Sequence, residues 1–288
     1  MLMNMKDLLT VADKNNFAVP AFNISDYSML KGIFEASEEK ESPLIIAIHP
    51  DELSHIGVEM LKSIIEKANK TILPICIHLD HGSSFAQVML AIQSGFTSVM
   101  IDGSSLAFED NIAICQKVVE AAHSVDVSVE GELGTIGSTD AEAEAGANTI
   151  IYTDPEDAVE FVQATGVDTL AIAIGTSHGI YPAGMTPELQ LDLLKEIKSK
   201  VTIPLVLHGG SSNPDKEIGE AVTLGVNKIN ISSDIKVAYF DKMREILKDT
   251  SLREPNTIQP PCIKAMKEIA YHKIELFQSV GKASLYTV

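Results

Sequence analysis

The chain has 288 residues, 45% of them hydrophobic, which is enough apolar material for one large core. Its 40 acidic residues against 22 basic give a formal net charge of −18 with no basic stripe, and this argues against a nucleic-acid partner. Three scattered cysteines without a CxxC pair, apolar runs of strand length only, and no basic-then-apolar leader predict a cytoplasmic protein with reduced thiols and no membrane contact.

Along the chain, short β-branched runs alternate eight times with stretches of helical period. The predicted strands are 18–22, 44–48, 75–79, 98–101, 128–130, 169–173, 205–207 and 228–231. The helices between and after them are 25–41, 52–68, 85–94, 109–124, 155–165, 187–200, 214–224 and 234–248. Asp154-Pro155 supplies an N-cap followed by proline at the first helical position, and Thr186-Pro187 repeats the device. Gly95, Gly166 and Gly225 stand where left-handed C-caps belong. Strands apolar on both faces, each followed by a helix, imply a parallel sheet covered by helices. Eight such units predict a single-domain α/β fold over 1–288, a (β/α)8 TIM barrel, with an additional C-terminal helix at 261–277. Two aperiodic stretches, 131–151 and 173–185, follow the fifth and sixth strands and are candidate active-site loops.

Position gives three of the eight histidines a shared meaning. His81 follows the third strand, His178 the sixth and His208 the seventh, so all three belong to one mouth of the barrel. Three imidazoles with an open fourth position suit a catalytic zinc ion. Asp80, Asp102, Glu132 and Asn230 gather at the same mouth, where buried carboxylates need a metal or a proton-transfer partner. Asp102 or Glu132 could instead orient a ligating histidine. Gly175–Gly179, His208–Ser212 and Asn230–Ser233 offer backbone N–H groups and hydroxyls; the loops after strands seven and eight are the usual phosphate cradle of this barrel. Such a cradle reconciles an anionic substrate with an acidic protein.

These residues resemble the class II, metal-dependent ketose-bisphosphate aldolases, the family of fructose- and tagatose-bisphosphate aldolases. The resemblance runs from Val19-Pro20-Ala21-Phe22-Asn23 to Glu275-Leu276-Phe277 through HLDHG (78–82), EGELG (130–134), YTDPEDAVEFV (152–162), AIGTSHG (173–179), VLHGGSS (206–212) and NKINIS (227–232). It implies Zn²⁺ on His81, His178 and His208, with Asp102 and Glu132 holding a second or alternative metal position. It implies Asp80 as the general acid/base, and Asn23, Gly179, Gly209, Gly210, Ser211, Asn230, Ile231, Ser232 and Ser233 as the substrate-binding residues, most of them at dihydroxyacetone phosphate. A monovalent cation, Na⁺ or K⁺, near Gly179 and Gly209 and a homodimeric or homotetrameric assembly are also implied. The reaction is then reversible cleavage of a ketose phosphate to dihydroxyacetone phosphate and an aldehyde, and no Schiff-base lysine is evident; Lys228 reads as structural.

The chain departs from the family pattern at three places. The loop after strand five reads Gly137-Ser138-Thr139-Asp140, where glycine pairs and two acids are usual, so Asp140 and Glu142 are the expected enediolate acids, with Glu144 beyond. His49 replaces a small hydroxyl residue, and no pocket arginine for a distal phosphate stands out, Arg253 being the only candidate. The metal and dihydroxyacetone phosphate end looks intact and the aldehyde end altered. The competing readings are a zinc hydrolase, which the missing HxH after strand one disfavours, and a non-catalytic sugar-phosphate-binding relative.

Overall fold

The computed structural model describes residues 1–139, 149–182, 184–185 and 187–286. Eight parallel strands close a barrel: β1 (Val19–Asn23), β2 (Leu44–Ile48), β3 (Ile75–Gly82), β4 (Ser98–Ile101), β5 (Ser128–Leu133), β6 (Thr169–Ile172), β7 (Leu205–Leu207) and β8 (Val226–Ile231). Each strand pairs with the next, and β1 closes on β8 with Ala21 opposite Asn230. The expected TIM barrel is therefore present.

Strand alternation explains why these runs are apolar without a break. Leu44, Ile46 and Ile48 of β2 pack outward beneath the helices, while Ile45 joins a separate cluster inside the barrel. In β3, Ile75, Ile77 and Leu79 pack outward while Cys76 joins the inner cluster. The inner cluster is completed by a helix that the sequence reading missed, α1 (Met5–Lys14), whose Met5, Leu8, Leu9 and Ala12 plug one end of the barrel. These four residues have ordinary helical spacing, and Asn4 caps the helix by accepting from Asp7 N at 2.9 Å.

Toward the strand C-termini the barrel interior turns polar, which corrects the expectation of strands apolar on both faces. His78 and Asp80 of β3, Glu130 and Glu132 of β5, and Lys228 and Asn230 of β8 are all buried there. Each pair has the two-residue spacing that sends both side chains to one face.

The helical boundaries need four corrections. The predicted helix 52–68 is two, Pro50–Ile56 and Val58–Lys70, broken at Gly57, which has φ +74°. Of the expected Thr186-Pro187 start, Thr186 lies outside the described residues and Pro187 is not helical; the helix here is Leu191–Lys200 with Gln190 at its N-cap. Gly95 and Gly166 are left-handed C-caps as expected, but Leu224 occupies the cap before Gly225. The extra C-terminal helix is longer than predicted, Pro255–Leu276. Among the described residues, no helix is long and apolar enough to cross a membrane.

Candidate active site

β3 extends past its predicted end, so Asp80 and His81 lie in the strand and not after it. Consecutive strand residues ordinarily point to opposite faces. His81, however, has φ +53°, a left-handed conformation that costs a non-glycine residue about 1–2 kcal/mol. The register of β3 against β4 shifts between Leu79 and Gly82 at this turn. Asp80 and His81 consequently face the same mouth, with His81 Nε2 3.9 Å from Asp80 Oδ1.

The other two imidazoles arrive from neighbouring connections. His208 directly follows β7, and His178 lies in a two-residue strand, Ser177–His178, paired in parallel with Gly137–Ser138 outside the barrel. Gly209 has φ +63°, and a Cβ there would stand 2.7 Å from the Ser177 carbonyl oxygen. Only glycine lets the two backbones touch in this way, and the contact brings the His178 and His208 rings to 6.1 Å between centroids. His81 lies 5.1 Å from His178 and 4.6 Å from His208 on the same measure.

One ring nitrogen from each histidine lies within 4.8 Å of the others. His81 Nε2 and His208 Nδ1 are 3.0 Å apart; neighbouring nitrogens on a tetrahedral zinc ion, with Zn–N about 2.0–2.1 Å, stand about 3.3 Å apart. The outer nitrogens of the same two rings are fixed. His81 Nδ1 is 3.0 Å from Asp102 Oδ2, and Asp102 Oδ1 accepts from Ser104 N at 3.0 Å and from Ser104 Oγ at 2.7 Å. His208 Nε2 lies 2.8 Å from Glu130 Oε1, and Lys228 Nζ donates to both Glu130 oxygens at 2.9 Å. An outer nitrogen held as a donor to a carboxylate leaves the inner one free as an acceptor, the arrangement a ligating histidine needs.

The electrostatics call for positive charge at this point. Burial alone would depress His81, but Asp80, Asp102 and Glu132 outweigh it and raise the imidazole to about 10. Burial, together with the charge of Asp102, lifts Glu132 well above the carboxylate range. Burial would raise Asp80 too, yet His81, His208, Lys228 and His78 hold it well below its ordinary value. Glu132 Oε2 lies 4.0 Å from His81 Nδ1 and is buried with no hydrogen-bond partner among the described residues. His81, Asp102 and Glu132 form a second group of potential metal ligands. The donor set, its spacing and the converging carboxylates all fit a divalent cation.

Asp80 is held from both sides. Asn23 Nδ2 donates to its Oδ2 at 2.9 Å and Asn230 Nδ2 to its Oδ1 at 3.0 Å. Both amide oxygens are then left without a hydrogen-bond partner among the described residues. Asn23, Asp80, His178, Gly179, Gly209, Ser211, Asn230, Ser232 and Ser233 line one tight recess. Two expected binding residues do not line it: Gly210 N donates to the Asn230 carbonyl at 3.0 Å, and the Ile231 side chain lies in the hydrophobic core. On the other side of His178 opens a cleft of about 430 Å³, bounded by His49, His81, Asp102, Glu132 and several hydroxyl residues.

Among the remaining expectations, Asp140, Glu142 and Glu144 lie outside the described residues. His49 does border the cleft, but it also caps the helix Pro50–Ile56, its Nδ1 accepting from Asp51 N at 3.2 Å. Arg253 is 86% exposed and pairs with Glu254, and it lines neither the recess nor the cleft. Reasoning from sequence missed Glu130, His78 and Glu52, whose Oε2 accepts from the clamping Asn23 Nδ2 at 3.4 Å, and took Lys228 only as structural. The signal was available: Glu130, His78 and Lys228 each lie two residues before a recognised site residue and so share its inward face.

A (β/α)8 barrel with a histidine triad and a clamped aspartate at its strand C-termini defines a metal-site barrel enzyme. The family described as Fructose-bisphosphate aldolase class-II matches residues 3–282. The chain is 40% identical to a fructose-bisphosphate aldolase of Geobacillus stearothermophilus, over 98% of this chain and 99% of the relative. The YdjI aldolase of Escherichia coli K12 superposes with a TM-score of 0.87 at 33% identity, covering 98% of this chain and all of that one. A fructose-bisphosphate aldolase of Campylobacter jejuni, 23% identical, shares the fold with a TM-score of 0.80, over 98% and 96% of the two chains. The chain belongs to the class-II fructose-bisphosphate aldolase family. It is an aldolase, a carbon–carbon lyase.

Proposed function

We propose that the chain is a Zn²⁺-dependent aldolase that reversibly cleaves a ketose phosphate, of fructose or tagatose type, to dihydroxyacetone phosphate and an aldehyde. The observation that carries the proposal is the clamped Asp80 lying 3.9 Å from His81 and 3.8 Å from His208, both of the histidine triad. His81, His178 and His208 would hold the zinc ion, and Asp102 and Glu132 are placed for a second or alternative divalent position. When bound, the cation supplies the Lewis acidity that draws charge away from the ketone as the bond breaks.

The chain's own groups do the rest. Asp80, oriented by Asn23 and Asn230 and kept ionised by the basic groups around it, takes the proton from the hydroxyl beside the scissile bond and returns it in condensation. The two amide oxygens freed by this clamp face hydroxyl donors of the substrate. Backbone N–H groups and hydroxyls at Gly209, Ser211, Ser232 and Ser233, the last opening the helix Ser233–Ile246, hold the phosphate of dihydroxyacetone phosphate. Asp140 or Glu142 supplies the proton that quenches the carbanion. A monovalent cation, Na⁺ or K⁺, would sit near Gly179 and Gly209. Exposed Val237 and Phe240 on one helix support a homodimer or homotetramer, and three buried, unpaired cysteines support a cytoplasmic site.

The test is a coupled assay for dihydroxyacetone phosphate with fructose and tagatose 1,6-bisphosphates and ketose 1-phosphates. Turnover should vanish with chelator and return with Zn²⁺. Asp80→Asn should keep one zinc ion per chain yet lose about 10²–10⁴-fold in kcat. Full activity in the chelated enzyme, or in Asp80→Asn, would refute the assignment.

A further inference from the structure

We propose that the aldehyde arm of the substrate is uncharged: the chain works on a ketose 1-phosphate whose distal end carries hydroxyl groups and no second phosphate. The proposal rests on the aldolase reading above and deepens it.

The cleft beside the histidine triad has room for an arm of several carbons, about 430 Å³. Its ionisable lining is the carboxyl groups of Asp102 and Glu132 and the imidazoles of His49, His81 and His178, the ring of His81 being held between Asp102 and Glu132. Its remaining polar groups include the hydroxyls of Ser83, Ser104, Ser105 and Thr135. No lysine or arginine is among the described residues lining it. The sequence of the connections that rim this mouth tells the same story. Among the described residues, 24–26, 49, 83–84, 102–107, 134–139, 149–154, 173–182, 184–185, 187–190, 208–214 and 232 contain no lysine or arginine, but carry acids at 26, 102, 154 and 188.

Cations elsewhere are committed. The two arginines pair with carboxylates near them in sequence, Arg244 with Asp241 and Arg253 with Glu254, and both are largely exposed. Lys228 is sealed below the triad against Glu130, and Lys236 pairs with Glu52 at 2.9 Å. Lys216 is 84% exposed, near Glu220. One phosphate can be held by backbone N–H groups at the glycine-rich recess, with no lysine needed. A second phosphate would have to lie beside the Asp102 carboxylate with no lysine or arginine among the described residues lining the cleft, and like charges placed together select against a ligand. Vicinal hydroxyls, by contrast, match the serine and threonine hydroxyls and carboxylate acceptors present.

The test uses the full-length, zinc-loaded protein. Deuterium exchange into dihydroxyacetone phosphate alone reports the deprotonation step without any aldehyde. Condensation with D-glyceraldehyde is then compared with D-glyceraldehyde 3-phosphate. The expected result is rapid exchange and a kcat/KM at least tenfold higher for the unphosphorylated aldehyde. Leu106→Arg, which puts a cation at the rim of the cleft, should raise kcat/KM for the phosphorylated aldehyde relative to the wild type. Rapid exchange with a preference for glyceraldehyde 3-phosphate would overturn the proposal, as would a Leu106→Arg enzyme that gains nothing with it. No exchange would instead remove the aldolase reading on which the proposal stands.

Discussion

Replacing Lys228 by methionine isolates the electrostatics beneath the histidine triad. Lys228 Nζ donates to both oxygens of Glu130 at 2.9 Å, and both side chains are fully buried. At an effective dielectric near 20, one such contact is worth roughly 6 kcal/mol of attraction before desolvation is subtracted. Methionine keeps most of the volume but leaves the carboxylate with His208 Nε2 at 2.8 Å and Thr169 Oγ1 at 3.4 Å. Breaking a buried pair from one side typically costs about 3–5 kcal/mol, because the remaining charge stays desolvated. Urea unfolding of the metal-free protein should therefore show a lower midpoint at unchanged slope, corresponding to that loss. The double variant Glu130→Gln/Lys228→Met should lose less than Lys228→Met alone, since no uncompensated charge remains. A further effect should reach the metal: Glu130 orients His208, and disturbing such a partner weakens metal affinity about 10–100-fold. A Lys228→Met protein within about 1 kcal/mol of the wild type would refute this reasoning.

His78 should make the fold acid-sensitive. Burial, reinforced by the charge of Lys228, pushes its imidazole down to about 3. The folded value lies below the unfolded one of about 6.5, so the unfolded chain takes up the proton first and stability falls as pH drops below 6.5. The slope is about 1.4 kcal/mol per pH unit, and urea midpoints at pH 6.5 and 4.5 should differ by less in His78→Gln. Gly209→Ala should cost at least about 1–2 kcal/mol for the left-handed residue, besides pushing the Ser177 carbonyl away. Its KM for the phosphorylated ketose should rise, and thermal denaturation together with steady-state kinetics checks both effects.

Much of the fold was legible because its signals are local. Alternation along β2 and β3, glycine caps at Gly95 and Gly166, and the Asp154-Pro155 start can all be read from a few neighbouring residues. The misread boundaries had a common cause. Pro187 and the continuous period across Gly57 are local signals that tertiary packing overrode, and α1 was overlooked because it precedes the repeating units. The site was legible as positions: His81, His178 and His208 each follow or end a strand, and chain order alone assigns them to one mouth.

What the sequence determined by itself was therefore the repeating βα pattern, the residue types at the strand ends and the absence of cations from the loops. Only the tertiary structure decided which of those residues meet. Closing the sheet sets Lys228 against Glu130 across 98 positions and His208 beside His81 across 127. The left-handed turn at His81 swings it to the face of Asp80, against the alternation that its strand would impose. Contacts across a closed barrel depend on strand stagger and curvature, which are properties of the whole sheet, and no window of sequence contains them.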